Sequence, residues 1–204
     1  MRYFFHLILI AFFLSSCSNK PIDLRNPNTL KKFKNKALDY NELQLRSDGL
    51  HYTKNSDKPY NGWVSHGGLD LSSLMQFKDG KIHGTSAAFY GDGQIASLYQ
   101  SKNGKTIGVS QEWWPDGSKK IVGEFNKGKT IKLEAWNENG EKVKQLSENG
   151  GETFKILYRN GEMESEMIYK NRLLRVLTIW NRDGSLKVQS QYDSSGNFIP
   201  KKDE

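Results

Sequence analysis

Ten of the chain's nineteen glycines directly follow Asn or Asp, and no glycine precedes Gly49. The pairs are Asp48-Gly49, Asn61-Gly62, Asp79-Gly80, Asp92-Gly93, Asn103-Gly104, Asp116-Gly117, Asn139-Gly140, Asn149-Gly150, Asn160-Gly161 and Asp183-Gly184. Asn-Gly and Asp-Gly tolerate the positive φ angles of tight hairpin turns, and no short sequence signals a hairpin more strongly. The turns also recur. Gly80, Gly104 and Gly128 are 24 apart, while Gly93, Gly117, Gly140, Gly161 and Gly184 follow at 24, 23, 21 and 23. Between them the residues alternate in polarity, as in Ile131-Lys132-Leu133-Glu134-Ala135-Trp136 and Leu186-Lys187-Val188-Gln189-Ser190-Gln191-Tyr192. Such alternation means half-buried strands. Each repeat is then two strands and two tight turns, and chained repeats give an all-β antiparallel meander in which each hairpin leans on its neighbours.

Composition agrees with a thin fold. Counting Gly with the apolar residues, 83 of 204 are apolar, below the roughly 45–50% of ordinary domains. A thick core with helices on both sides is not expected. Four histidines and one cysteine exclude a disulfide scaffold and leave few metal ligands.

The unit Lys-Asp-Gly-Lys-Ile-His-Gly … Phe-Tyr-Gly-Asp-Gly (78–93) resembles the MORN repeat variant, and Lys-Asn-Gly-Lys-Thr-Ile-Gly … Trp-Trp-Pro-Asp-Gly (102–117) repeats it. Upstream, Asp-Gly-Leu-His-Tyr (48–52) and Lys-Pro-Tyr-Asn-Gly (58–62) resemble the opening segment of the YwqK family of antitoxin proteins. The resemblance covers roughly residues 43–192 and implies an elongated sheet of hairpin repeats and, by the family label, neutralisation of a toxin. Later units depart from the pattern: Asn171-Arg172 replaces a turn glycine, and Gly150-Gly151 breaks the spacing.

The first residues read as an address. After Arg2, residues 3–14 are almost wholly apolar. Twelve residues make about 18 Å of helix, too short for a bilayer core of ~30 Å but right for the apolar stretch of an export signal. The stretch ends in Leu14-Ser15-Ser16-Cys17, which resembles the bacterial lipobox. That resemblance implies cleavage before Cys17, a diacylglycerol thioether on it, and acylation of the new amino terminus. Several acyl chains would anchor the protein stably in a membrane. Ser18 after the cysteine implies, by the same resemblance, the outer membrane of a Gram-negative host, facing the periplasm. An ordinary signal peptide with a stray cysteine is the alternative.

The expected organisation is a lipoprotein signal peptide at 1–16, a basic tether at 17–45, hairpin repeats at 46–199 and a tail at 200–204. The net charge of +7 belongs largely to the tether side: residues 18–60 carry nine Lys/Arg against five Asp/Glu, and residues 61–199 carry eighteen against sixteen. Lys31, Lys32, Lys34 and Lys36 form the densest run. Beside a lipid anchor they suit anionic head groups better than nucleic acid, although a solvated linker accounts for them equally. Leu30, Phe33, Ala37 and Leu38 have the spacing of a short helix.

Two ligand motifs match by letter alone. Gly123-Glu124-Phe125-Asn126-Lys127-Gly128-Lys129-Thr130 fits the phosphate-binding P-loop, but that loop needs a following helix, and the residues after it alternate like a strand. Gly91-Asp92-Gly93-Gln94-Ile95-Ala96 fits a relaxed dinucleotide fingerprint without its βαβ context. Both are expected to be repeat turns. No cofactor and no catalytic group is expected. His51, His66 and His83 lie 15 and 17 residues apart, against the three or four convergent ligands of a zinc site. Glu162, Glu164 and Glu166 read as a solvated strand face.

An aromatic precedes each turn of one row: Tyr90, Trp114, Trp136, Tyr158 and Trp180. Neighbouring strand residues point to opposite faces. The face of Phe89, Trp113, Ala135, Leu157 and Ile179, with Ala87, Gln111, Leu133, Lys155 and Leu177, is mainly apolar and is expected to be buried. The aromatic column would lie on the other. It is either a cross-strand ladder that fixes register or a partly exposed stripe for a protein partner. The function expected is therefore a non-enzymatic, lipid-anchored envelope protein whose repeat sheet binds a protein, with an envelope scaffold contacting lipid or cell wall as the alternative. An enzyme acting on envelope glycans is a third class, for which no acid/base pair stands out.

Overall fold

The computed structural model describes residues 22–67, 71–143, 145–148 and 151–199. Cys17, with the signal segment, and the tail at 200–204 lie outside the described residues. One helix, α1 (Pro27–Lys34), precedes β1 (Leu38–Asp39), β2 (Leu43–Leu45), β3 (His51–Thr53), β4 (Gly62–Gly67), β5 (Leu71–Lys78), β6 (Lys81–Tyr90), β7 (Ile95–Lys102), β8 (Lys105–Trp113), β9 (Lys119–Asn126) and β10 (Lys129–Ala135). Then come β11 (Leu146–Glu148), β12 (Gly151–Leu157), β13 (Met163–Lys170), β14 (Leu173–Trp180), β15 (Leu186–Tyr192) and β16 (Phe198–Ile199).

The chain is mostly strand, and from β4 onward consecutive strands pair as antiparallel hairpins in two runs. An eight-stranded sheet has the order β1-β4-β5-β6-β7-β8-β9-β10, and a six-stranded sheet runs β11 to β16. β1 is the exception, lying parallel to β4. β2 and β3 form a separate ribbon.

Two kinds of turn alternate. At Asp79-Gly80, Asn103-Gly104, Lys127-Gly128 and Asn171-Arg172 both central residues have positive φ. These are the two-residue turns whose twist matches that of the flanking strands. At Gly93, Gly117, Gly140, Gly161 and Gly184 only the glycine has positive φ. Its N–H donates to the carbonyl three residues back, on Tyr90, Trp114, Asn137, Tyr158 and Asn181. The preceding Asp or Asn side chain accepts the amide two residues on, as Asp92 does from Gln94 and Asp116 from Ser118. The Asx-Gly pair therefore serves both turns for different reasons.

Four of the five turns of the second kind, all but that at Gly140, are followed by a residue the pairing skips. Ala88 pairs with Ser97 but Phe89 with Ile95, leaving Ala96 out; Lys120, Glu164 and Lys187 are left out in the same way. All stand three residues after a turn glycine. A bulge of this kind bends the strand and re-aims its side chain.

The meander is interrupted after β10. Trp136 bridges Lys142, the Val143 N–H donates to the Ala135 carbonyl, and the chain then enters the second sheet. Thr130 N–H to Arg172 carbonyl (2.9 Å) and Glu138 N–H to Leu157 carbonyl (3.1 Å) tie the sheets together.

Two cores result. In the first, Leu24, Trp63, Leu74, Ala87 and Phe89 are buried beneath α1, whose Leu30 and Phe33 pack on them together with Ala37. Asn26 caps the helix by accepting from the Asn28 and Thr29 amides, and Pro27 starts it. The segment expected as a tether is thus folded against the sheet from Leu24 onward, because its apolar residues complete this core. The second core joins Trp114, Ile121 and Ala135 of the first sheet to Phe154, Ile156, Met167 and Tyr169 of the second.

The expected division of faces holds for Ala87 and Phe89 but not beyond β8. Pairing runs Ala87–Leu98–Gln111–Val122–Glu134 on one face and Ala88–Ser97–Glu112–Ile121–Ala135 on the other. Ala135 therefore lies opposite to Phe89. The cause is the 23-residue step from Gly117 to Gly140: an odd step exchanges the faces of a period-two strand.

Candidate functional site

The aromatic column divides into two sets when measured from the turns. Tyr90, Trp114 and Tyr158 stand three residues before the turn glycine, and Trp136 and Trp180 stand four before it. The first set reaches one repeat forward. The Tyr90 hydroxyl donates to the Trp113 carbonyl (2.5 Å), Trp114 Nε1–H to the Trp136 carbonyl (3.2 Å), and the Tyr158 hydroxyl to the Trp180 carbonyl (2.9 Å). In the repeat with Asn137 at that position, the Leu157 amide donates to Asn137 Oδ1 at 2.9 Å. Trp114 is only 3% exposed and belongs to the second core. Tyr90, Trp136, Tyr158 and Trp180 are half-buried. Lys119 and Lys142 place their ammonium groups 5.9 and 5.8 Å from the Trp136 ring.

A buried charge group lies behind this row. The bulge residue Lys120 of β9 meets the bulge residue Glu164 of β13 at 2.7 Å and lies 4.8 Å from the Trp114 ring. Glu164 is buried, against the expectation of a solvated face, because the bulge turns it toward the first sheet. Its neighbour Glu162 is exposed, and Glu166 pairs with Lys155 at 3.5 Å. Burial raises the pKa of Glu112, opposed by Lys120 and reinforced by Glu164. The Tyr90 phenol is pushed up to about 12, by burial first and then by Glu112 and other carboxylates. At the turns, Arg159 meets Asp116 at 3.2 Å, and Arg182 pairs in a fork with Glu138. Arg182 holds the Glu138 carboxyl below its usual range. This ladder links four successive repeats.

The letter-matching motifs are turns. Gly123 lies in β9, Lys127-Gly128 forms the hairpin, and Lys129-Thr130 opens β10, so a strand stands where a P-loop needs its helix. A Cβ on Gly123 would lie 2.5 Å from the Phe125 ring, leaving no cradle. Gly91-Asp92-Gly93 is likewise a turn that leads into β7.

The histidines are arranged less simply than their spacing implies. His83 lies 3.2 Å from Asn103 Oδ1 at a turn. His51 and His66, fifteen residues apart, line one pocket of about 210 Å³ with Tyr40, Met75, Phe77 and Ile82. Among the described residues no group of three or more His, Cys, Asp or Glu is placed to hold a metal ion.

Sequence reading missed the surface at the far end of the second sheet. Ile179 pairs with Val188 and Tyr192 with Phe198, so the face that carries Met167 in the core continues outward across β14, β15 and β16. It opens progressively: Met167 is 6% exposed, Val188 42% and Phe198 57%. The first sheet covers its corresponding face with α1; over β15 and β16 no element among the described residues packs. The signal was present as Val188 and Phe198 in the last strands.

No family model matches the sequence, and no curated protein matches it.

Proposed function

We propose that this protein is a non-enzymatic envelope lipoprotein, anchored through acylated Cys17 in the outer membrane, whose repeat sheet binds a protein partner. The resemblance to YwqK-type proteins makes the partner a toxin, neutralised by occlusion. An exported protein would meet such a target outside the cytoplasm or at the membrane. The observation that carries the reading is the open apolar face of Val188 and Phe198. It extends a buried core outward to an unpaired sheet edge, and apolar patches of this kind mark interaction sites. Trp136 and Trp180, which make none of the forward side-chain bonds, are the aromatic-column residues left to contact a partner.

The test is an in-envelope cross-linking pull-down with the lipidated protein as bait. Its controls are a repeat-deleted lipoprotein and a Val188→Thr, Phe198→Ser double variant. One stoichiometric protein lost in both controls, and toxic when expressed alone, supports the reading. Recovery of lipid or cell-wall material alone overturns it in favour of a scaffold.

That second reading has its own support. α1 packs its half-buried Leu30 and Phe33 on the sheet and leaves Lys31, Lys32 and Lys34 exposed, with Lys36 just beyond its end. Salt-sensitive sedimentation with anionic vesicles, lost when the four lysines become Gln, would favour lipid contact.

A further inference from the structure

The segment before β4 folds over the face of the first sheet opposite α1 and forms an open pocket there. Its floor is β4, β5 and the start of β6. Val64 pairs with Met75 and His66 with Ser73, so His66 and Met75 are diagonal neighbours on one face. Phe77 and Ile82 pair beside them. Tyr40 and His51 close the pocket from above, the Tyr40 ring lying 5.5 Å from His66 and 6.1 Å from His51. Its volume of roughly 210 Å³ leaves room for an ion together with small movements of the side chains that line it.

The donors are unusual in kind. Two imidazoles, one thioether and one phenol line the pocket, the other walls are hydrocarbon, and no carboxylate takes part. His51 is also oriented. Its Nδ1 lies 3.2 Å from the Gly80 carbonyl oxygen, which can only accept, so the proton is on Nδ1 and the Nε2 lone pair is free. A backbone carbonyl behind the ring is the usual support of a metal-binding histidine. Gly80 is itself fixed. It has φ +73°, a Cβ there would meet Leu50 Cβ at 2.8 Å, and its carbonyl also accepts the His51 amide at 2.9 Å.

The geometry points to a soft-metal site in which His51 Nε2, His66 and Met75 Sδ bind a cuprous ion. The thioether favours Cu(I), which accepts two or three ligands and is also bound by imidazole, whereas hard cations need six or more oxygens and this pocket offers one phenol. Zinc would require a fuller donor set. The apolar walls of Phe77 and Ile82 suit a lightly hydrated monovalent ion. Partner binding by the second sheet is a separate matter, since the pocket lies wholly in the first sheet and the segment over it.

The test titrates Cu(I) without oxygen into the full chain in detergent, against the chelator bicinchoninate. Cys17→Ser is present throughout so that the only thiol does not compete. One equivalent is expected to be held. Met75→Leu, which conserves volume, and His66→Gln, on an exposed residue, should each weaken binding by about tenfold or more. His83→Gln should leave it unchanged. X-ray absorption should report mixed nitrogen and sulfur ligation, with the sulfur lost in Met75→Leu. Failure to retain copper, or equal retention by all variants, overturns the site. If a variant unfolds, ring NMR of the unsubstituted histidines decides: Cu(I) must perturb His51 and His66 and spare His83.

Discussion

Trp114 donates its indole N–H to the backbone carbonyl of Trp136, 22 residues on, at 3.2 Å. Tyr90 and Tyr158 repeat the relationship with Trp113 and Trp180. The side chain three before one turn glycine thus fastens the backbone four before the next. Register is transmitted along the meander by these side chains as well as by the strand ladders. A large ring on a half-buried strand supplies both the apolar body and the polar tip that the position needs.

Removing the tip alone measures the link. Tyr158→Phe and Tyr90→Phe are each expected to cost about 1 kcal/mol in urea unfolding, the net worth of a typical hydrogen bond. The two should add, because they fasten different sheets. Tyr90 also carries a pH signature. Its folded pKa is raised to about 12, so its contribution is complete below the usual value of 10 and is lost as pH rises from 10 toward 12. Tyr90→Phe should flatten the stability profile in that window.

Much of the fold is legible in the chain, and the misreadings have definite causes. Eight of the Asx-Gly pairs mark turns directly, Asn61-Gly62 instead opening β4, and alternation marks the strands between them. Taking Trp136 and Trp180 as equivalent to Tyr90 and Trp114 overlooked a one-residue offset, since Asn137 and Asn181 occupy the position three before the glycine. The bulge column of Ala96, Lys120, Glu164 and Lys187 is visible only by counting from the glycines, since its members share no chemistry. The pairing of His51 with His66 was not readable at all. It depends on the segment before Gly62 doubling back over the sheet, which no local periodicity encodes.

Arg172 occupies a turn position that glycine fills in the other two-residue turns. Its φ of 62° lies where an L-residue is strained, and its carbonyl accepts Thr130 from the other sheet. Arg172→Gly keeps that carbonyl and relieves the strain, partly offset by greater freedom of the unfolded chain. A gain of about 0.5–1 kcal/mol is expected, a rise in Tm of roughly 2–4 °C by calorimetry.

Burial raises the folded pKa of Glu112, with Lys120 opposing and Glu164 reinforcing the effect. A carboxyl whose folded pKa is raised gives its full support below the usual carboxylate range near 4.5 and loses it as pH climbs through the folded value. Glu112→Gln should therefore raise Tm at pH 7 and leave it nearly unchanged at pH 4. Equal shifts at both pH values would mean that packing, not ionisation, governs the position.

The bond between Lys120 and Glu164 joins the two sheets, and its two halves should respond very differently to substitution. Both side chains are largely buried, 15% and 8% exposed, at a separation of 2.7 Å. Lys120→Met leaves the Glu164 carboxylate desolvated and without its cation, and removing one partner of a buried pair costs about 3–5 kcal/mol. Glu164 Oε2 already lacks a hydrogen-bond partner among the described residues, so water or a neighbour is poorly placed to compensate. Lys120→Met with Glu164→Leu removes both charges and keeps the volume, and such replacements are commonly neutral or stabilising. Urea unfolding should therefore show a large loss for the single variant and near-complete recovery for the double. The sheets would then be held by Trp114, Ile121 and Ala135 against Phe154, Ile156 and Met167, with the ion pair fixing their alignment. A double variant as unstable as the single one would show that the charges themselves hold the sheets together.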